Sequence, residues 1–470
     1  MSDPILLWLR RDLRLTDNPA MAWAAAQDRP VVPVWIHDEV VEDWGAAPKW
    51  RMGLSLEDFA GRLAEIGSRL ILRRGDALAT LRALVAETGA TSVVWNRLYV
   101  ANERARDTGV KEALRGDGLE ARSFQGHVLH EPWTVETGSG GFYKVYTPFW
   151  KAVRDRDLSD PIPPVEALPA PGTWPESDDQ AGWGMARAMR RGTEVTAAHV
   201  HVGELAARDR LVAFCDDKID TYHDARDMLA WDGTSGLSEN LTYGEISARE
   251  CWFAGVRARE EGKQGAETFL KEIVWRDFAH YLAYHTPGLT TENWKPEWDA
   301  FPWRGDNDQA EAWRRGRTGL EVVDAAMREM YVTGTMHNRA RMLVASYLTK
   351  HLMTHWRVGC DWFADVLIDW DPASNAMGWQ WTAGSGPDAS PFFRIFNPET
   401  QAEKFDPKGD YRRRWLAERG GGDLARSYFA AIPESWGMSA DDAYPNAPIV
   451  GLSEGRARAL EAYGQRDAAE

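Results

Sequence analysis

The chain has 470 residues, 44% hydrophobic, 27% charged and 11% aromatic, a balance that supports two or three packed cores and excludes an intrinsically disordered chain. Acidic residues outnumber basic ones by 71 to 55, a formal charge of −16, so any grip on nucleic acid must come from a local basic surface rather than wholesale neutralisation. Cys215, Cys251 and Cys360 lie far apart with no Cys-x-x-Cys pair, which argues against a disulfide framework or cysteine zinc site and fits a reducing cytoplasm.

The opening MSDPILLWLRRDLRL has only five apolar residues before its arginines, and nowhere do eighteen run together, so neither an export signal nor a membrane span is expected. Strands are predicted at Ile5 to Leu9, Val31 to Ile36, Arg69 to Leu72, Ser92 to Trp95 and Leu119 to Phe124. Amphipathic stretches near Leu54 to Ile66, Leu78 to Thr88 and Asn102 to Arg115 alternate with them, which predicts a parallel, Rossmann-like α/β sheet covered by helices. Its carboxyl edge, as at Arg74-Gly75-Asp76, would form a crevice, although no G-x-G-x-x-G follows the first strand. Six prolines between Asp160 and Pro175 cannot continue a helix or central strand and read as an interdomain linker. Beyond it, helical periodicity at Glu245 to Arg259, Ala266 to Tyr284, Leu320 to Tyr331, Thr335 to His351 and Asp361 to Asp369 predicts an all-α domain. The expected division is residues 1–130, a linker over 131–197, and 198–470.

Four clusters could carry chemistry. Asp232 to Ser238 packs two glycines and three hydroxyl residues before a helical pattern, either a turn or a cradle for phosphate oxygens. Glu272 and Trp275 share a helix face, a carboxylate beside an indole on which a nucleobase could stack, or a surface Glu beside a core Trp. Asn338 and Met342 share another, with Arg339 and Arg341 on other faces: a pocket for an uncharged base beside a phosphate, or plain packing. Asp369 and Asp371 are costly to bury without a cation, for which Arg341 is a candidate; with no His nearby in sequence, no metal site is expected. The 24 tryptophans are the compositional anomaly.

Together these clusters, with Leu7-Trp8-Leu9-Arg10-Arg11-Asp12-Leu13-Arg14, Tyr143 to Phe149, Trp379-Gln380-Trp381 and Phe392 to Pro398, resemble the DNA photolyase and cryptochrome family over nearly the whole chain. The resemblance implies an N-terminal α/β antenna domain and a helical FAD-binding domain. It further implies repair of cyclobutane pyrimidine dimers in UV-damaged DNA, by electron transfer from excited reduced FAD to a flipped-out dimer. Carried over by position, Tyr222, Thr234, Ser235, Leu237 and Ser238 match residues around the flavin phosphates, while Arg341, Asp369, Asp371 and Asn375 complete the cofactor set. Glu272, Trp275, Asn338, Met342 and Trp381 match the lesion pocket, and Trp379, Trp356 and Trp303 match an electron relay. Arg226, Arg276, Arg339 and Arg394 match positions facing the duplex. Asn102 and Glu103 resemble the pair that holds methenyltetrahydrofolate as an antenna, with deazaflavin, FMN or an empty crevice left open. Asn338, Met342 and Asn375 resemble class I dimer photolyases, and the alternative is a cryptochrome-type photoreceptor without repair. Gly236 stands where the family usually has Arg, so that restoring Arg is expected to tighten FAD. A cytoplasmic monomer without a protein partner is expected.

Overall fold

Five short apolar runs pair into an all-parallel sheet of order β3-β2-β1-β4-β5, formed by β1 (Ile5–Leu9), β2 (Val31–His37), β3 (Ile71–Arg74), β4 (Ser92–Asn96) and β5 (Glu120–Phe124). The structure is a computed structural model that describes residues 3–467. Because successive side chains point to opposite faces, Ile5, Leu7 and Leu9 pack against α1 (Pro19–Ala25) and α2 (Ala46–Glu65). Leu6 and Trp8 face α3 (Ala77–Thr88) and α4 (Ala101–Gly116) instead. The chain reverses direction across the sheet between β1 and β4, the usual ligand crevice of such folds. Here it is plugged from within: the Arg10 guanidinium donates to the Asn96 carbonyl and, at 3.2 Å, to Asp107, and Asn96 Nδ2 donates to Asp12 at 2.7 Å.

The expected linker is not free chain. Within it α5 (Tyr146–Val153) buries Phe149, Trp150 and Val153 in a helical core, an amphipathic turn overlooked because the proline run dominated the composition. The proline segment is a strap on the sheet domain: Ile162 and Pro169 carbonyls accept from Asp17 and Val31 N–H, and Val165 N–H donates to the Leu15 carbonyl. Proline removes its own donor but leaves its carbonyl, so such a strap can still be hydrogen-bonded along its length.

The remaining helices used below are α6 (Gly203–Ala213), α7 (Ser238–Tyr243), α8 (Ala248–Glu260), α9 (Ala266–His285), α10 (Glu321–Thr333), α11 (Asn338–Ser346), α12 (Trp356–Val366) and α13 (Pro372–Ala383). The helix predicted over Thr335 to His351 begins three residues later, where His337 Nδ1 caps the Arg339 N–H at 3.1 Å, and widens into a turn at Tyr347–His351. That predicted over Asp361 to Asp369 is the end of α12, an extended Leu367 and a turn at Ile368 and Asp369. Arg51 of α2, fully buried, joins the two halves by ion pairs to Glu239 at 2.6 Å and Glu245 at 2.8 Å. Among the described residues no helix is long and apolar enough to cross a membrane.

Two packing details carry predictions. A Cβ at Gly359 of α12 would fall 2.0 Å from Cη2 of Trp379, so the helices can approach only with glycine there. Gly359→Ala should destabilise the protein by about 1–3 kcal/mol through overpacking, outweighing the ~1 kcal/mol that alanine gains in helix propensity, as read by denaturant unfolding. Lys350 is buried with its ammonium 3.1 Å from the Phe392 carbonyl and 3.9 Å from the Phe392 ring, and burial pushes it down from 10.5 to about 7. A depressed folded-state value contributes stability above the unfolded value that is lost as pH falls through the folded one. Wild-type unfolding free energy should therefore drop between pH 10 and 7 more steeply than that of Lys350→Met.

Candidate active site

In the C-terminal half α13 packs against both α9 and α11, yet faces of these helices are incompletely covered. Glu272 and Trp275 of α9, Met342 of α11, and Asn375 and Trp381 of α13 are half-buried, while Asn338 is exposed. Gly378, three residues from both Asn375 and Trp381, is exposed in mid-helix, and a Cβ there would meet nothing within 4 Å. These uncovered amide, carboxylate, thioether and indole groups are the candidate lining of a hollow. Side chains link its rim: Glu272 pairs with Arg226, Asp227 with Arg339 at 2.7 Å, and Arg339 Nη1 lies 3.8 Å from Met342 Sδ. Trp275 is stacked on Tyr146 of α5 at 3.7 Å between centroids and 8° between planes, which fixes the indole and leaves one face for a ligand.

Below the rim, the cation expected for the acidic pair is present for one member. Asp369 Oδ2 accepts from Arg341 Nη2 and from Ser238 Oγ, each at 2.7 Å. Asp371 instead N-caps α13 through the Ser374 N–H at 2.7 Å and meets His280 Nε2 at 3.0 Å. His280 Nε2 is 3.3 Å from His127 Nε2, which in turn lies 2.9 Å from the Arg276 guanidinium. Burial pushes Asp371 up, but His280, Arg276 and Arg11 prevail and hold it well below the usual carboxylate range. Burial and Arg276 keep His127 neutral. The donor atoms of His127, His280 and Asp371 lie within 4.8 Å of one another, a grouping that the sequence could not show because 153 positions separate the two histidines. A guanidinium against His127 Nε2 repels a cation at that point.

The tryptophans 379, 356 and 303 form a file. Trp379, buried, packs on α12 at Gly359, one turn from buried Trp356; His355 then lies 5.6 Å from Trp356 and 5.5 Å from half-buried Trp303, between ring centroids.

A model of the FAD binding domain of DNA photolyase matches residues 269–465, and a DNA photolyase model matches residues 5–171. The chain is 45% identical to a deoxyribodipyrimidine photo-lyase of Agrobacterium fabrum, over 98% of this chain and 97% of that one. The chain belongs to the DNA photolyase/cryptochrome family. A crystal structure described as a bacterial class III photolyase from Agrobacterium tumefaciens superposes with a TM-score of 0.91 at 43% identity, covering 100% of this chain and 98% of that one. Cryptochrome-2 of Arabidopsis thaliana is 33% identical over 93% of this chain and 72% of its own length. The class I expectation, which rested on a few side chains, gains no support from a likeness of this extent to a class III enzyme.

The residues present fit FAD. Asp369 Oδ1 is buried and accepts no hydrogen bond among the described residues, although its partner oxygen is doubly bonded, so the carboxylate retains an acceptor for a ligand hydroxyl or N–H. Thr234 and Ser235 are half-buried and Ser238 exposed beside it. Tyr222 is buried, and Leu237 sends its side chain into the core, leaving only its backbone to the loop. Asn375 Nδ2 is steadied by the Cys360 carbonyl at 3.0 Å.

Other expectations need correction. Arg276 does not face a duplex: it turns inward to the His127 carbonyl at 2.7 Å, because its helix face packs against the chain after β5. Arg226 and Arg339 stand on the rim, each paired with an acid, and Arg394 is exposed. Glu103 is buried 3.5 Å from Arg11 Nε in the plugged crevice, and only Asn102 is exposed, so the two do not present a joint face to an antenna. Sequence reasoning missed Tyr146, Asp227, His127 and His280; only Tyr146 lay within a recognised motif.

Gly236 has φ +64° and the guanidinium of Arg210, on α6, lies against it: a Cβ would fall 2.9 Å from Nη2. Arg210 is held by Glu239 at 3.1 Å and Asn240 at 3.2 Å, so a cation reaches this loop from another helix. Gly236→Arg should therefore lower both Tm and the flavin-to-protein ratio after purification rather than raise them, since an L side chain is strained at positive φ; a higher ratio would overturn this.

Proposed function

We propose that this chain repairs cyclobutane pyrimidine dimers in UV-damaged DNA by light-driven electron transfer. The observation that supports the reading is that a carboxylate, an amide, a thioether and two indoles on α9, α11 and α13 stay incompletely covered, with α9 and α11 both packed against α13, the helix of Asn375. Bound FAD supplies the photoexcited electron that splits the ring, and the fold supplies geometry and electrostatics. Glu272 and Asn338 hydrogen-bond the imide edges of the two pyrimidines; Met342 lies against their apolar faces. Trp275 and Trp381 wall the cavity and exclude water. The file of Trp303, Trp356 and Trp379 passes electrons inward to the flavin site from the half-buried end at Trp303. Arg226, Arg339 and Arg394 meet phosphates, supplying local positive charge on a chain of formal charge −16. Flipping out a dimer costs only a few kcal/mol because the lesion already stacks poorly.

The test follows dimers in a UV-irradiated oligonucleotide with FAD-loaded, reduced protein, under blue light and in the dark. Wild type should remove them only in light. Glu272→Ala should keep its flavin absorbance yet bind the dimer about ten-fold more weakly, as expected for a lost hydrogen bond to a charged group. Flavin bound without light-dependent loss of dimers would favour the photoreceptor alternative, which a 33% identical cryptochrome relative keeps in view.

A further inference from the structure

Tryptophan and tyrosine are enriched at recognition surfaces because one end is apolar and the other polar, so exposed aromatics near the site invite an account. Three aromatics stand out among the described residues: Trp133 at 44% exposure, Trp231 at 58% and Phe393 at 60%. Trp133 has partners, since Tyr99 and Tyr284 lie within ring contact and the Arg97 guanidinium sits over it. Phe393 adjoins Arg394, already placed toward DNA. Trp231 is different: it lies at the tip of a segment anchored on nearly every side.

Arg226 is fastened to Glu272, and Asp227 to Arg339 at 2.7 Å. The Leu229 N–H donates to the Phe405 carbonyl at 3.0 Å, and Arg414 Nη2 donates to the Ala230 carbonyl at 3.1 Å. Asp232 holds Lys218 at 2.6 Å. A segment so pinned cannot fold its indole back into a core, and the anchors on one side are the pocket rim itself. The exposed ring is thus carried on a pinned backbone beside the rim, with guanidiniums at positions 226, 339 and 414 in the same neighbourhood.

We propose that Trp231 is a stacking platform for a nucleobase of the DNA flanking the flipped-out dimer. A large, rigid π-face needs little ordering on binding and accepts any base, which suits a protein that must recognise a lesion regardless of surrounding sequence. The indole lies outside the hollow, so it contacts neighbouring nucleotides and not the dimer. This inference rests on the proposed repair reading.

The experiment measures dissociation constants of the FAD-loaded protein for an oligonucleotide with one central dimer and for the isolated dimer dinucleotide, with flavin absorbance as the check on folding. Trp231→Ala should weaken the oligonucleotide about ten-fold and leave the dinucleotide unchanged; Trp231→Phe should retain most of the oligonucleotide affinity. Unchanged oligonucleotide binding by the alanine variant overturns the proposal. So does an equal loss for both ligands, which would make Trp231 a support of the pocket, or a phenylalanine variant as weak as alanine. Wild-type protein that takes up neither ligand overturns the repair reading, and this contact with it.

Discussion

Four residues between α12 and α13, Ile368 to Asp371, hold the helical half together. The Ile368 N–H donates to the Gly334 carbonyl after α10 at 2.8 Å, and the Ile368 carbonyl accepts from Tyr243 OH of α7 at 2.5 Å. Asp369 takes Arg341 of α11 and Ser238 of α7, while the Trp370 carbonyl accepts from Arg11 of the sheet domain at 3.3 Å. Asp371 binds His280 of α9 and caps α13. Every helix around the hollow, and the other domain, is thus tied to one short connection. Buried carboxylates tolerate such a place only when paired, so removing Arg341 leaves Asp369 as an uncompensated charge and costs several kcal/mol. Asp371 is extended because the residue before Pro372 disfavours helix, which frees its carboxylate to cap the next helix.

On a strongly acidic chain the guanidiniums around the site are held in fixed places by polar partners: Arg341 by Asp369, Arg210 by Glu239 and Asn240, Arg226 and Arg339 by rim carboxylates. Glu239 also clamps Arg51 across the domain boundary, so the loop before α7 and the contact between the halves share a single buried carboxylate. Geometry at the site and the fit of the two domains are in this way one problem.

The inner strands were legible because both their faces are buried and each read as a nearly continuous apolar run, Ile5–Leu9 residue for residue, whereas the edge strands β3 and β5 are partly exposed and their bounds shift by one or two residues. Helix existence was equally legible, helix ends less so, since His337 and Asp371 terminate elements through side-chain caps that periodicity does not register. The strap over residues 160–175 read as linker because proline signals only what the backbone cannot do. In the site, residues carried by local motifs came together: Glu272 with Trp275, Asn338 with Met342, and Asp369 with Arg341. What stayed hidden depends on tertiary approach. Arg276 read as a duplex contact from the family resemblance, and only the packing of α9 against His127 turns it inward. His280 joins Asp371 across 91 positions, and Arg210 reaches Gly236 from a separate helix.

The central claim is that a flavin and a swung-out dimer share one hollow at electron-transfer range. The fluorescence lifetime of the reduced flavin, recorded with and without saturating dimer dinucleotide, tests this most directly. The account predicts a clear shortening of the lifetime when the dimer binds, because the excited electron gains an acceptor in contact. A dimer that binds without changing the lifetime would place the two in separate sites and contradict the account.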